Sequence, residues 1–274
     1  MGKLTFIKMH GLGNDFVVFD ARIKNIKFDA STVRAIADRR TGVGCDQLIV
    51  MEPAHSREAD LFMRIYNSDG SEVDACGNAT RCIAAKVMDE NATDQVTIET
   101  GAGLLDTKRK RTGITVNFGQ AYDDWKAIPL SREMNTLNVD LSEGILSDPV
   151  CVNIGNPHAV FFVDKLESVP LSKLGPKLET NALFPEHANI EAVQVMTRNH
   201  LKVRVWERGV GITQACGTGA CAALIAACRR GYADRHAEVE LAGGIILVEW
   251  NKDNQVLMTG PTATSFTGTW QFKI

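Results

Sequence analysis

The 274-residue sequence has almost no charge excess: 30 lysines and arginines against 33 aspartates and glutamates leave a formal −3. Without a basic surplus, binding driven by a nucleic-acid backbone is not expected. Long apolar runs are missing as well. The longest conspicuous one, residues 220–228, is nine residues, where a bilayer-spanning helix needs about 20. The opening MGKLTFIKMHGLGNDF lacks the continuous apolar stretch of a secretion signal, and Phe6 stands where a myristoylation pattern requires Ser or Thr. These absences predict a soluble cytoplasmic protein with neither a nucleic-acid nor a membrane partner.

Cysteine is scarce and odd in number, 7 residues at scattered spacing, which argues against a disulfide framework. The close pairs Cys76/Cys82 and Cys216/Cys221 lack the tight spacing of a structural zinc site, and no two histidines stand at metal-binding spacing. No metal is expected. The stretches GLGND and GVGCD both lack the third glycine of a dinucleotide fingerprint, and a Walker-type phosphate loop is missing too. No cofactor of that kind is expected. KRKR at residues 108–111 falls between strand candidates and reads as a solvated hairpin.

What is present is a repeat. ACGNATRC begins at Ala75 and ACGTGACA at Ala215, so Cys76 and Cys216 sit in near-identical settings. MRIYNSDGSEVDACG from Met63 aligns without a gap on VRVWERGVGITQACG from Val203, and GNDFVVFD from Gly13 resembles GNPHAVFFVD from Gly155. In the same frame Asn14 answers Asn156 and Gln47 answers Asn189. Three matches in one order point to duplication.

The local patterns support that reading. DLFMRIYN and LKVRVWE alternate as strands do, each followed by a Gly-containing polar loop, Cys-Gly and an Ala-rich helix candidate. In the second copy the helix is apolar on every side over residues 220–228, so it must be buried all round; Gly231 supplies its C-terminal stop. Strand candidates on all sides predict an α+β fold of two similar, pseudo-symmetric domains. Each is a curled, barrel-like mixed or antiparallel sheet wrapped around a central helix. The expected boundaries are 1–118 for the N-terminal repeat with Cys76, 119–148 for a crossover interrupted by Pro129, and 149–262 for the C-terminal repeat with Cys216. Residues 263–274 are expected to return to the N-terminal repeat, and the two halves to meet across a cleft.

A cysteine that opens a helix has consequences. The first backbone amides lack intrahelical acceptors and the dipole places partial positive charge there. Gly77 and Asn78, like Gly217 and Thr218, would cradle a carboxylate, and the same field is expected to favour thiolate. Two such sites facing one α-carbon would supply a base on one face and an acid on the other, which is two-base racemisation. Cys45, Cys82, Cys151, Cys221 and Cys228 read as apolar filler. Covalent acyl transfer by a single cysteine, and a non-catalytic binding module, are the readings from other classes.

The motifs HGLGNDFVV, GVGCDQ, NSDGSE, CGN, RC, GNPHAV, VWERGVG and ACGTGACA, in this order along essentially the whole chain, resemble the diaminopimelate epimerase family. The resemblance implies a cofactor-independent epimerase that interconverts LL- and meso-2,6-diaminopimelate for lysine and peptidoglycan precursors, commonly as a homodimer. A related proline or hydroxyproline epimerase is the alternative. Carried over by motif position, Cys76 and Cys216 are the base and acid. The substrate-binding set is Asn14, Gln47, Asn67, Gly77, Asn78, Asn156, Asn189, Glu207, Arg208, Gly217 and Thr218, with Arg208 suited to the distal carboxylate through its planar fork. His158 and Glu207 tune the cysteines; Arg39 and Arg81 are structural. Ala79, where the family usually has Gly, is expected to crowd the first helical turn, and Ile212 falls in a region that usually carries an acid.

Overall fold

The computed structural model describes residues 3–24 and 26–271. Residues 1–2, 25 and 272–274, which the sequence-based boundaries include, lie outside the described residues. The chain forms two compact units, one of residues 1–116 with 260–274 and one of residues 117–259.

In the first unit, β1 (Lys3–Gly11) turns back on β2 (Asn14–Asp20) as an antiparallel pair, and helix α1 (Ala30–Ala37) then carries the chain to β3 (Gln47–Glu52), parallel to β2. β4 (Leu61–Asn67) runs antiparallel to β3 and is edged by the short β5 (Glu72–Val73). Helix α2 (Gly77–Asn91) leads to β6 (Gln95–Thr100), parallel to β4. The antiparallel strands β7 (Gly103–Lys110) and β8 (Gly113–Gln120) follow, and the basic run at 108–111 forms the end of β7 and the first residue of their turn. Each parallel pair is bridged by a helix because a tight turn cannot join strands of the same direction.

The second unit repeats this order. After a small hairpin of β9 (Ser142–Glu143) and β10 (Leu146–Ser147), β11 (Val150–Asn153) pairs antiparallel with β12 (Pro157–Phe162). Helix α3 (Leu171–Glu179) bridges to β13 (Asn189–Thr197), parallel to β12, and β14 (His200–Glu207) is antiparallel to β13 and edged by β15 (Gly211–Ile212). Helix α4 (Gly217–Arg229) bridges to β16 (His236–Leu241), parallel to β14, and β17 (Gly244–Trp250) and β18 (Gln255–Gly260) close the series antiparallel. The register repeats as well: Phe16 faces Gln47 in the first unit and His158 faces Asn189 in the second. Finally β19 (Ala263–Gln271) pairs antiparallel with β1, from Lys3 opposite Gln271 to His10 opposite Ala263.

Each central helix touches strands spread along its sheet. α2 packs on β1, β6 and β7, and α4 on β11, β12, β13, β14, β16 and β17. One straight rod meets so many strands of a row only if the sheet curls about it. The residues explain why. From Ala220 to Ala227 every α4 side chain is buried, so the helix has no solvent face. α4 ends where Gly231, at φ +74°, returns its amide to the Cys228 carbonyl. Among the described residues no helix is long and apolar enough to cross a membrane.

Tight packing fixes the strand that carries Glu207. A Cβ added at Gly175 in α3 would lie 2.5 Å from Cγ of Trp206 in β14. Gly175→Ala should therefore destabilise the protein by about 1–3 kcal/mol through overpacking, seen as a lower urea midpoint. An unchanged midpoint would show that the indole moves aside freely.

Candidate active site

The polar loop between β5 and α2 ends in Cys76, whose extended backbone (φ −151°, ψ 108°) makes it the N-cap of α2. Its carbonyl accepts the amide of Thr80 at 2.9 Å and the Thr80 hydroxyl at 2.9 Å. The half-buried thiol points to Asn14 Oδ1 at 3.9 Å, and the same oxygen accepts from Asn78 Nδ2 at 3.0 Å. Asn78 is held in turn by the fully buried Arg81, whose Nη2 donates to Oδ1 at 2.8 Å. Gly11 makes room for that guanidinium, since a Cβ there would sit 2.9 Å from Nη2.

Asn14 is fixed from the other side by Asp46, which accepts from its Nδ2 at 2.9 Å. Arg39 bridges Asp46 at 2.6 Å and Asp15 at 2.7 Å, and Lys8 adds an ion pair to Asp15. Burial alone would raise the Asp15 carboxyl, but hydrogen bonds from Arg39 and Lys8 hold it well below the usual carboxylate range. Gln47 Nε2 donates to Asn67 Oδ1 at 3.1 Å across the β3–β4 pair, while its buried Oε1 has no partner among the described residues. Structure thus gathers Cys76, Asn14 and Asn78 into one contiguous group, with Gln47 and Asn67 as a second pair.

In the second unit Cys216 caps α4 from the same position (φ −114°, ψ 115°). Its sulfur accepts the Gly219 amide at 3.4 Å and lies 3.7 Å from the Thr218 hydroxyl. A sulfur that accepts from an early helical amide acts as the cap that oxygen side chains usually provide. Beside it stands Glu207, whose carboxyl accepts from the Thr213 hydroxyl and interacts electrostatically with Cys216. Burial pushes the Glu207 carboxyl above its ordinary value. The same burial, then the charges of Glu207 and Glu191, push the Cys216 thiol well up, against the Gly219 amide and the Thr218 hydroxyl. At Cys216 desolvation and two neighbouring carboxyl groups outweigh the pull of one helix end toward thiolate. Cys45, Cys82 and Cys151 are pushed up to about 12 by burial, as inert filler should be.

The remaining residues cluster nearby. His158, fully buried, meets Glu191 Oε1 through Nδ1 at 2.7 Å and Asn156 Oδ1 through Nε2 at 2.8 Å. Asn189 donates from Nδ2 to the Pro157 carbonyl at 3.0 Å and accepts the Arg208 amide at 2.9 Å. The exposed Arg208 guanidinium spends Nη1 on the Glu186 carbonyl at 3.0 Å and has no carboxylate partner among the described residues. Among those residues no group of three or more His, Cys, Asp or Glu could hold a metal ion.

A family model described as diaminopimelate epimerase matches residues 6–123 and 150–264. The chain belongs to the diaminopimelate epimerase family. It is 55% identical over 264 residues to the diaminopimelate epimerase of Rhodospirillum centenum, covering 96% of this chain and 91% of that one. With the diaminopimelate epimerase of Erythrobacter litoralis it shares 48% identity over 98% of both chains. Two solved structures share the fold at low identity. A Bacillus anthracis phenazine biosynthesis protein of the PhzF family matches with TM-score 0.68, 19% identity and coverage of 99% and 100%. A hydroxyproline epimerase from Agrobacterium vitis matches with TM-score 0.69, 13% identity and coverage of 97% and 92%.

Of the two departures from the family pattern, Ala79 is fully buried and belongs to the apolar core of the first unit. Ile212 is exposed on β15. Sequence reasoning missed Glu191, Asp46 and Glu179. Glu191 was detectable as an acid within the apolar strand NIEAVQV. Asp46 lies inside the motif GVGCDQ yet was not singled out. Glu179, buried, ties down the strand and turn around Glu207 by accepting the Trp206 indole at 2.6 Å and the Gly209 amide at 2.8 Å.

The electrostatics of Cys216 give a signed expectation. Its thiol should ionise only well above the ~8.5 of a free cysteine. Glu207→Gln removes a negative charge that disfavours thiolate, so the ionisation midpoint should fall. Peptide-resolved iodoacetamide labelling of Cys216 across pH measures both. A wild-type midpoint at the free-cysteine value, or an upward shift in the variant, would contradict this account.

Proposed function

We propose that this chain interconverts LL- and meso-2,6-diaminopimelate, moving one α-proton between Cys76 and Cys216. The observation that carries the reading is the duplicated unit: each copy opens a buried helix with cysteine, in a chain 55% identical to a diaminopimelate epimerase. The reaction needs a base and an acid on opposite faces of one carbon. In one direction the Cys76 thiolate takes the α-proton, and the electron pair of the broken C–H bond delocalises into the adjacent carboxylate. The thiol of Cys216 gives its proton to the other face, leaving the roles exchanged. Cys216 suits the acid role in that direction because burial and its two carboxyl neighbours favour the protonated sulfur.

The developing charge falls on the substrate carboxylate, for which helix N-termini are the natural cradle. Gly77 with Asn78, and Gly217 with Thr218, fill that role in this reading. Asn14, Gln47, Asn67, Asn156, Asn189 and Glu207 complete the binding set, and His158 joins Glu207 in tuning the cysteines. The Arg208 guanidinium, which has no carboxylate partner among the described residues, favours a substrate with a second carboxylate, and so favours diaminopimelate over proline or hydroxyproline. Sulfur and backbone supply acid, base and counter-charge, so the reading requires neither pyridoxal phosphate nor a metal. It places the enzyme in the cytoplasm as a homodimer, without nucleic-acid partners.

Incubation with LL-diaminopimelate in deuterium oxide tests the mechanism directly. Cys76→Ala and Cys216→Ala should each abolish epimerisation, while at most one of them still exchanges the α-proton of that isomer. Substantial epimerisation by either variant would rule out two bases.

Arg208→Lys keeps the charge and loses the bidentate contact. It should lower kcat/KM for diaminopimelate by about tenfold or more. Unaltered kinetics would remove Arg208 from the binding set.

A further inference from the structure

At one pair of core positions the two units differ in chemical character, apolar in the first and ionisable in the second. In the shared register His158 takes the place of Phe16, and Glu191 the place of Ile49. Phe16 and Ile49 are fully buried apolar residues, and so are His158 and Glu191 as polar ones. Replacing a packed apolar pair by a buried acid and imidazole does not add stability, so the substitution calls for another role.

The geometry suggests it. Glu191 Oε1 engages His158 Nδ1 at 2.7 Å, and the opposite nitrogen, Nε2, meets Asn156 Oδ1 at 2.8 Å. A carbonyl oxygen can only accept, so Nε2 carries a proton. The second bond then holds one proton between Glu191 and Nδ1. Whichever of the two atoms carries it, Nε2–H keeps pointing at Asn156. The amide of Asn156 is thereby fixed with its oxygen inward and its NH2 group turned away from the imidazole. That NH2 group has no acceptor among the described residues. In the first unit the corresponding Asn14 is oriented differently, by Asp46 and Asn78.

We propose that Glu191 is a positioning residue: through His158 it locks the Asn156 amide so that its NH2 group is presented to a substrate carboxylate. The proposal rests on the reading of Asn156 as a substrate-binding residue. Glu191 touches no substrate in this account. With Nε2 bare, Nδ1–H would donate to a Glu191 carboxylate and leave a net negative charge buried between the two residues, whereas the pair that shares a proton is neutral. Glu191 thereby keeps Nε2 protonated and the Asn156 amide from turning its oxygen to the anion.

Two measurements test this on the intact protein. Long-range 15N NMR of the histidines should show His158 with a protonated Nε2 from pH 6 to 9 in the wild type, without any substrate. Glu191→Met, which keeps the volume but removes the partner of Nδ1, should produce a mixture of tautomers. Glu191→Gln, whose amide can donate to Nδ1, should preserve the Nε2–H form. In kinetics with diaminopimelate, Glu191→Met should raise KM about tenfold with kcat affected less, and Glu191→Gln should stay within about threefold of wild type. Combined with Asn156→Ala, Glu191→Met should add nothing further to KM, because in binding both act through one amide; a change in kcat would report the separate influence of the Glu191 charge on Cys216. A bare Nε2 in the wild type overturns the proposal even if Glu191→Met does not fold. Multiplicative KM effects in the double variant, or an unchanged His158 spectrum in Glu191→Met, overturn it too. Absence of any epimerase activity in the wild type would instead count against the proposed function, and the NMR spectra would still decide whether Glu191 sets the His158 tautomer.

Discussion

A helix without a polar face has to be enclosed, and in the second unit this requirement organises everything else. α4 is alanine-rich and buried from Ala220 to Ala227, so strands must reach it from every direction. Small side chains let those strands approach closely. A sheet that merely covered one side would leave the rest of the apolar surface in water. The alternation of antiparallel hairpins and helix-bridged parallel pairs is the route by which one chain encloses the rod. α2 obeys the same rule with a more varied sequence, and offsets the burial of its polar Arg81 by bonding it to Asn78.

Enclosure has an electrostatic corollary. A helix buried along its length still presents an open N-terminus, and both copies put sulfur there. At Cys216 the surroundings oppose ionisation: burial, Glu207 and Glu191 all act in the same direction, and the Gly219 amide and Thr218 hydroxyl only partly offset them. The two copies therefore share a backbone plan but not a charge environment. The first surrounds its cysteine with amides held by an external salt-bridge network of Asp15, Arg39 and Asp46. The second surrounds its own with carboxyl groups and an imidazole.

Much of this was legible in the residues. The strand–loop–Cys-Gly–helix pattern, the all-round burial of α4 and the stop at Gly231 follow from periodicity, composition and capping chemistry, which are local properties. The grouping of Asn14 with Cys76 was reached only through motif resemblance, because the two belong to different elements and no spacing rule links them. Glu191 escaped for a related reason. An acid in a strand reads as solvent-facing, and only the partner strand reveals that a buried histidine stands beside it. The opposition to ionisation at Cys216 was not legible, because a helix dipole can be read from sequence, whereas desolvation and the positions of Glu207 and Glu191 depend on the tertiary packing.

The pairing of β1 with β19 has a kinetic consequence. Lys3 faces Gln271, so the first strand of the chain waits for one of the last before both of its edges are bonded. As the polypeptide leaves the ribosome, the β1 edge stays open while the whole second unit is synthesised, and an open edge is a template for pairing with another chain. The exposed Lys3 lies on that strand, and charge on an unpaired edge discourages such association. The closing step joins segments at great sequence separation, the slow class of folding event, so the edge of β1 is completed later than the length of the first unit alone would suggest.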